Sequence, residues 1–294
     1  MMKKRGRKKR KKLDVRGLIL LSLGLGLLLI WMLIEWRGAH FKFNKERLNL
    51  LFVGKDKPAK IMSIDFVTKK VSWLEFGKES LIPTRSGGYY QIGKLVSLAE
   101  YEQEPVRFIL SRFQGFTKLP LDGYCLESDW IWSCQKSNLN LWDKLVLSYV
   151  KHSYLVDKWE SEFWLKQGIA KETDEGLSYD ELRLENLIKQ KLFDWSIAKE
   201  GLAVAIVDES GESLGRDLDG VAEGLGMRVV MNRQEDGNRD KTKLMVSRGE
   251  LKKSLTVKRL QRLTGVKDIK VGKTDSYRAE VVVLIGRDLS QLIF

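Results

Sequence analysis

The chain begins with a basic polar segment and then changes abruptly to apolar residues. Residues 17–34 contain no charged side chain, and Glu35, Trp36 and Arg37 follow. A helix of about twenty residues is about 30 Å long, the hydrocarbon thickness of a bilayer. The pattern predicts a transmembrane helix over 17–36. We expect it to be retained as an anchor, because a signal peptide has a shorter apolar core and the small pair Gly38-Ala39 lies beyond Trp36.

Beyond this predicted span, apolar and polar residues alternate with a period of two. The alternation predicts adjacent strands at 48–53, 61–66 and 71–76, with a short turn before the third. Helices are predicted at 93–102 and at 105–113, where Pro105 opens the second helix. A sheet therefore begins the first domain, which we place at residues 44–140.

From residue 141 the apolar spacing changes to three and four, which is typical of helices. This pattern predicts a helix within 141–168. A second helix over 179–198 is indicated by Ser178-x-x-Glu181, the pattern of a capping box. We interpret residues 141–200 as a helical layer or a linker.

The pattern after Gly201 is that of a separate small α/β domain, residues 201–294. Ser254 and Gly265 are positioned as the two caps of one of its helices. The predicted elements are strands at 202–207, 227–231, 266–271 and 280–285 and helices at 216–225 and 255–264. The whole chain is thus assigned to the α/β class, with an N-terminal transmembrane helix, an α/β domain, a helical segment and a small C-terminal α/β domain.

The charge of the chain is concentrated at its start. The net charge is +13, and residues 1–16 contain ten Lys and Arg residues and one acid, Asp14. A basic cluster directly before a span places it in the cytoplasm and sends the following residues outward. We expect a single-pass protein of the cell membrane with a cytoplasmic tail at 1–16 and extracytoplasmic domains. The rest of the chain has 42 basic and 38 acidic residues, so no nucleic-acid partner is expected.

Two cysteines, Cys125 and Cys134, flank the eight residues 126–133, LESDWIWS. If Asp129-Trp130 is the tip of a hairpin, the two cysteines face each other across neighbouring strands, within the range of a disulfide. Two buried free thiols are the alternative. The two histidines have no zinc-binding spacing, so metal chemistry would depend on carboxylates.

Charged residues gather where neighbouring predicted strands end. Asp56 follows the first strand, Lys78 and Glu79 follow the third, and Arg85 comes six residues later. Carboxylates hold Mg²⁺ and cations hold phosphoryl oxygens, so this mixture suits a Mg²⁺-bridged phosphate site. Solvated turns are the alternative.

Three stretches of the first domain resemble the LytR-CpsA-Psr (LCP) family. Residues 50–56 read LLFVGKD, like the opening strand and Gly-x-Asp of that family. Residues 63–83 read SIDFVTKKVSWLEFGKESLIP and follow its long central motif almost residue for residue, and residues 119–124, LPLDGY, resemble the start of a later strand. Residues 202–289 resemble the LytR C-terminal domain, with which no firm activity is associated.

The resemblance implies an extracytoplasmic, membrane-anchored protein that binds polyprenyl-pyrophosphate-linked glycan and transfers it to peptidoglycan with Mg²⁺. On this basis Asp56 and Glu79 would hold the metal, Lys78 and Arg85 would bind the pyrophosphate, and Lys78 and Glu79 would be catalytic.

The sequence departs from the family at the residues that matter for catalysis. Gly77-Lys78-Glu79 replaces Pro-Arg-Asp, and the family's Arg-rich helix motif is missing. Lysine lacks the bidentate fork that arginine gives a pyrophosphate. Our leading hypothesis is therefore an envelope protein that binds lipid-linked glycan or a cell-wall partner with weak or no catalysis. The alternatives are an active Mg²⁺-dependent glycopolymer transferase and a membrane-tethered regulator.

Overall fold

The computed structural model of the chain describes residues 22–27, 30–34, 47–84, 88–128, 131–134 and 136–289. Residues 22–27 and 30–34 of the predicted span are helical. Among the described residues, no helix has both the length and the apolar character needed to cross a membrane. The tail at 1–16 and the rest of the predicted span lie outside the described residues, so the transmembrane helix stays a prediction.

The first domain is built on a mixed sheet. Its strands are β1 Arg47–Val53, β2 Ala59–Asp65, β3 Lys70–Phe76, β4 Leu81–Pro83, β5 Tyr89–Gln91, β6 Gly123–Leu126, β7 Lys136–Ser137, β8 Leu155–Trp159, β9 Ala170–Thr173 and β10 Gly176–Tyr179. The main sheet, called the first sheet, has the order β7-β6-β1-β2-β3-β8, and β4-β5 and β9-β10 form separate ladders. The three strands that alternation predicts near the start of the domain are confirmed as β1, β2 and β3.

The helices lie on both faces of this sheet and continue into the second domain. They are α1 Ile92–Ala99, α2 Pro105–Thr117, α3 Leu141–Ser153, α4 Ser161–Lys166, α5 Glu181–Leu192, α6 Trp195–Glu200, α7 Gly215–Gly224 and α8 Leu255–Thr264. Leu51, Ile61 and Leu74 share one face of the sheet and pack with residues of α1, α2 and α5. Leu50, Met62 and Val71 share the other face and pack with residues of α3.

Most of segment 141–200 packs on the first sheet, whereas Ile197 of α6 packs in the core of the second domain. Residues 155–159 of this segment, predicted to be helical, form β8, which pairs with β3 in parallel. The helical spacing of apolar residues stops near Val150. Strand β8 is mostly exposed, so its side chains do not alternate between buried and exposed in the way that predicts a strand. The predicted helix 179–198 is two helices, with N-caps at Asp180 and Asp194 instead of Ser178, because residues 176–179 pair as β10.

The second domain is a smaller α/β sheet. Its strands are β11 Ala203–Asp208, β12 Arg228–Gln234, β13 Lys243–Val246, β14 Ile269–Val271 and β15 Val281–Ile285, in the order β12-β11-β15-β13-β14. The predicted caps are confirmed: the Ser254 side chain accepts from the Val257 N–H, and Gly265 ends α8 in the left-handed region. The short strand β13 has no counterpart among the predicted elements.

Candidate functional site

Asp56 lies just beyond the end of β1, in the turn that leads to β2. Its backbone N–H donates to the carbonyl of Gly93 at 3.0 Å, and its side chain is exposed. The residue has a φ of +52°, which aspartate tolerates better than most residues. The first turn of α1 therefore holds Asp56 in place through its backbone.

Lys78 lies just beyond the end of β3 and contacts the same glycine. The Gly93 N–H donates to the Lys78 carbonyl at 2.8 Å, and the Ile92 N–H donates to the Ser80 carbonyl at 2.9 Å. The Lys78 side chain is exposed. The strands that Asp56 and Lys78 follow, β1 and β3, are separated by β2, and Gly93 contacts the backbone of both residues.

Gly93 allows this close approach because it has no side chain. A Cβ at this position would lie 3.2 Å from the Lys78 carbonyl oxygen and 3.5 Å from the Asp56 Cα. Sequence reasoning did not select Gly93 as a site residue. The signal that could have found it is a glycine at the start of a helical pattern, which often marks a close backbone approach.

Glu79 is held from a different side of the domain. Its carbonyl accepts from the Leu177 N–H of β10 at 3.0 Å, and its side chain is exposed. Arg85, expected to bind phosphate, lies outside the described residues. The described part of the chain brings no three His, Cys, Asp or Glu side chains close enough to hold a metal ion. The Mg²⁺ role expected for Asp56 and Glu79 is thus an untested expectation.

A cluster of aromatic rings fills the layer beneath the segment Gly77–Ser80. Phe76 packs against Phe116 at 5.4 Å, Trp164 at 5.5 Å and Tyr179 at 5.6 Å between ring centroids. All four side chains are buried. The space between the sheet and its helices at this point is occupied by the protein's own side chains.

Polar atoms of this aromatic cluster find partners inside it. The Ser80 and Tyr179 hydroxyls lie 3.1 Å apart, and the Trp164 Nε1–H donates to the Glu75 carbonyl at 2.8 Å. Burial raises the pKa of the Tyr179 phenol to about 12, although its hydrogen bond with Ser80 acts in the opposite direction. Neutral Tyr179 is therefore a fixed part of the layer.

Cys125 and Cys134 are joined by a disulfide, with their Cα atoms 5.4 Å apart. The strand register expected for this pair is wrong. Cys125 of β6 pairs with Ser137 of β7, because residues 131–133 form a 3₁₀ turn that lengthens the connection. This turn brings Cys134 beside Cys125 without placing it on the neighbouring strand.

No protein-family model matches the sequence, and no curated protein does. Parts of the chain match solved structures. A LytR-CPS2A-psr family protein, YwtF (TagT), with bound octaprenyl pyrophosphate lipid, matches 51% of this chain and 90% of its own at 12% identity and a TM-score of 0.39. The match to the B. subtilis TagT structure covers 51% of this chain and 91% of the TagT chain, at 10% identity and a TM-score of 0.37. The match to the B. subtilis TagU structure covers 28% of this chain and 35% of the TagU chain, at 13% identity and a TM-score of 0.24.

The LytR-CPS2A-psr family named for the first of these structures is the one that the motif at residues 63–83 resembles. The identities and TM-scores are too low to support an inference about ligands or activity.

Proposed function

We propose that the chain is a single-pass cell-envelope protein whose first domain binds an anionic, phosphate-bearing glycan and does not transfer it. The binding edge is formed by Lys78 and Asp56 at the start of α1. The observation that carries the proposal is the aromatic cluster of Phe76, Phe116, Trp164 and Tyr179 beneath this edge. A polyprenyl chain needs a long apolar groove, and these rings occupy the layer where such a groove would open beside Lys78.

The charges around the edge support binding of an anion. Four lysines are exposed around the turn after β1, the segment after β3 and the first turn of α1: Lys55, Lys57, Lys78 and Lys94. The exposed acidic residues there are two, Asp56 and Glu79. The N-terminus of a helix adds a partial positive charge. Because the Ile92 and Gly93 N–H groups already have backbone partners, an anion would be held by lysine side chains. Exposed lysines act as point charges, so the affinity should be modest.

The same residues argue against transfer. The family's Pro-Arg-Asp appears here as Gly77-Lys78-Glu79. Each lost charge-assisted contact to a phosphate is worth about 1.5–3 kcal/mol, and several are missing together. We therefore place an active Mg²⁺-dependent transferase, with Asp56 and Glu79 at the metal, second. A membrane-tethered regulator is third, because topology already explains the basic tail.

The edge lies at the opposite end of β1 from the point at which the chain enters the first sheet. The chain reaches the first sheet at Arg47, one end of β1, and the edge follows Val53 at the other end. A strand of seven residues is about 20 Å long. The edge therefore lies about 20 Å from the point at which the chain arrives from the proposed anchor at 17–36.

Binding can be tested with the full chain in detergent. We expect a poly(glycerol phosphate) oligomer to bind with a salt-dependent affinity that falls at least threefold in Lys78→Ala. Lys191→Ala, an exposed lysine on α5, should leave the affinity unchanged. A soluble polyprenyl pyrophosphate should bind more weakly and should not be turned over with Mg²⁺. Turnover that disappears in Lys78→Ala or Asp56→Ala would instead establish the transferase.

The proposed topology has its own test. Protease added to intact spheroplasts should remove the bulk of the chain, because residues from about 37 onward are proposed to lie outside. Full protection of the second domain would contradict this orientation.

A further inference from the structure

A groove of about 430 Å³ lies on the face of the first sheet that carries Trp73. Trp73 and Val156 contribute its apolar surface, and Lys158 of β8 lies directly across from Trp73 in the strand register. Lys151, in the last turn of α3, closes one side. None of these residues belongs to the edge at Lys78 and Asp56.

A second depression, of about 350 Å³, continues this groove. It shares Lys158 and Glu160 with the first and extends to Phe163 and Lys166 of α4. Because the two depressions share two residues, they adjoin and form one continuous channel on the surface. We call this channel the trough and define it by Trp73, Lys158, Glu160 and Phe163. A chain-like ligand could contact both depressions at once.

Two aromatic rings in the trough are held in fixed positions. Trp73 packs on Phe52 with ring centroids 5.6 Å apart, and Phe163 stacks on Trp159 at 5.8 Å with an interplanar angle of 17°. Both rings are only partly buried. Rigid, half-exposed aromatic faces provide apolar contact at low entropic cost, and the C–H face of a sugar ring fits such a surface.

Lys60, Lys151, Lys158 and Lys166 line the two depressions, and two of them form ion pairs with nearby glutamates. Lys60 pairs with Glu75 at 3.1 Å, and Lys166 pairs with Glu162 at 2.7 Å. Lys158 forms no such pair within the part of the chain that the structure describes. An acidic group on a sugar that stacks on Trp73 could reach Lys158 on the neighbouring strand, and Glu160 could accept hydrogen bonds from its hydroxyls.

We propose that the trough binds an acidic oligosaccharide in an extended form. One sugar ring stacks on Trp73, its carboxylate or phosphate pairs with Lys158, and a later ring contacts Phe163. This binding does not depend on Lys78. It would give the protein a second glycan contact on a different surface from the one proposed above.

The test uses the full chain in detergent and a fluorescent oligogalacturonate as the probe. Wild type should bind it at least tenfold more tightly than a neutral maltooligosaccharide of equal length. Trp73→Leu and Lys158→Ala should each weaken binding by about tenfold, and Trp73→Phe, which keeps a ring, should weaken it less than Trp73→Leu. Lys191→Ala is the matched lysine control and should have no effect. Far-UV circular dichroism and the unfolding midpoint will show whether the Trp73 variants are folded, and Lys158→Ala tests the trough without changing its apolar floor.

The outcomes separate the trough from the edge at Lys78. Loss of binding in Lys158→Ala with normal binding in Lys78→Ala supports the trough, whatever becomes of the edge. Loss in Lys78→Ala alone would overturn the trough and leave the proposed function standing. Equal binding of poly-glutamate and oligogalacturonate would overturn the saccharide assignment in favour of simple charge attraction or a peptide. Binding unchanged in all variants would also overturn it.

Discussion

Arg259 of α8 forms a two-point ion pair with Asp122, which lies just before β6. The two side chains are only 1% and 7% exposed. Asp122 also accepts the backbone N–H of Asn49 in β1 at 2.8 Å. One carboxylate thus connects the central strand of the first sheet with a helix of the second domain. Asp122, the aspartate of the LPLDGY stretch that resembles the LCP family, therefore forms a contact between the two domains.

We predict that Arg259→Ala destabilises the protein by about 3–5 kcal/mol, because it leaves the buried Asp122 carboxylate without its cation. Lys258→Ala, the exposed neighbour on the same helix, should change stability by less than about 0.5 kcal/mol. Denaturant unfolding of the full chain in detergent measures both. Equal midpoints for the two variants would show that the ion pair does not stabilise the contact.

A second prediction concerns the loop that carries Glu79. Gly176 has a φ of +139°, and a Cβ there would lie 2.2 Å from the Glu79 carbonyl oxygen. Gly176→Ala should cost more than about 2 kcal/mol in unfolding free energy, since both the backbone strain and the clash must be relieved. Gly249→Ala is the control, because nothing lies within 4 Å of its Cβ position. If both glycine variants unfold at the wild-type midpoint, the close approach of Gly176 to the Glu79 carbonyl is contradicted.

The strands of the first sheet could be predicted because their side chains alternate between two covered faces. Leu51 and Ile61 point to one core and Leu50 and Met62 to the other, which fixes a period of two. Strand β8 could not be predicted in this way. It lies at the edge of the sheet, and Leu155 and Val156 are exposed, so only its pairing with β3 makes it a strand.

The candidate site was predictable in part for a similar reason. Asp56 and Lys78 follow β1 and β3, which run in the same direction on either side of β2, so the alternating strand directions bring both residues to the same end of the sheet. Their contact through Gly93 depends on how α1 packs, and the Asp122–Arg259 pair joins residues 137 positions apart. Long-range contacts of this kind leave no local pattern in the sequence.

A third prediction follows from Tyr179, whose pKa is raised by burial to about 12. A phenol that titrates near 10 when unfolded contributes stability that is complete below pH 10 and is lost as the pH rises towards 12. Tyr179→Phe should be less stable at pH 8 by about 1 kcal/mol, because the buried Ser80 hydroxyl loses its partner. The difference from wild type should shrink between pH 10 and 12. Tyr101→Phe, at a side chain that is 90% exposed, should show no difference at either pH, and a gap for Tyr179→Phe that stays constant with pH would contradict the burial of the phenol.

The last prediction concerns the Cys125–Cys134 disulfide, which closes a loop of about ten residues. Closing such a loop stabilises a fold by about 2–3 kcal/mol in the chain-entropy account. The chain has two cysteines in total, so alkylation of the unreduced, unfolded protein should add no mass, and alkylation after reduction should add two groups. A reductant should lower the unfolding midpoint of the wild type and leave that of Cys125→Ala/Cys134→Ala unchanged, because the double variant has no bond to lose. Alanine is the better replacement here, since Cys125 is fully buried among apolar side chains and a serine hydroxyl would need a new partner. Two alkyl groups taken up without reductant would refute the bond, and a midpoint insensitive to reductant in both proteins would show that the bond does not contribute to stability.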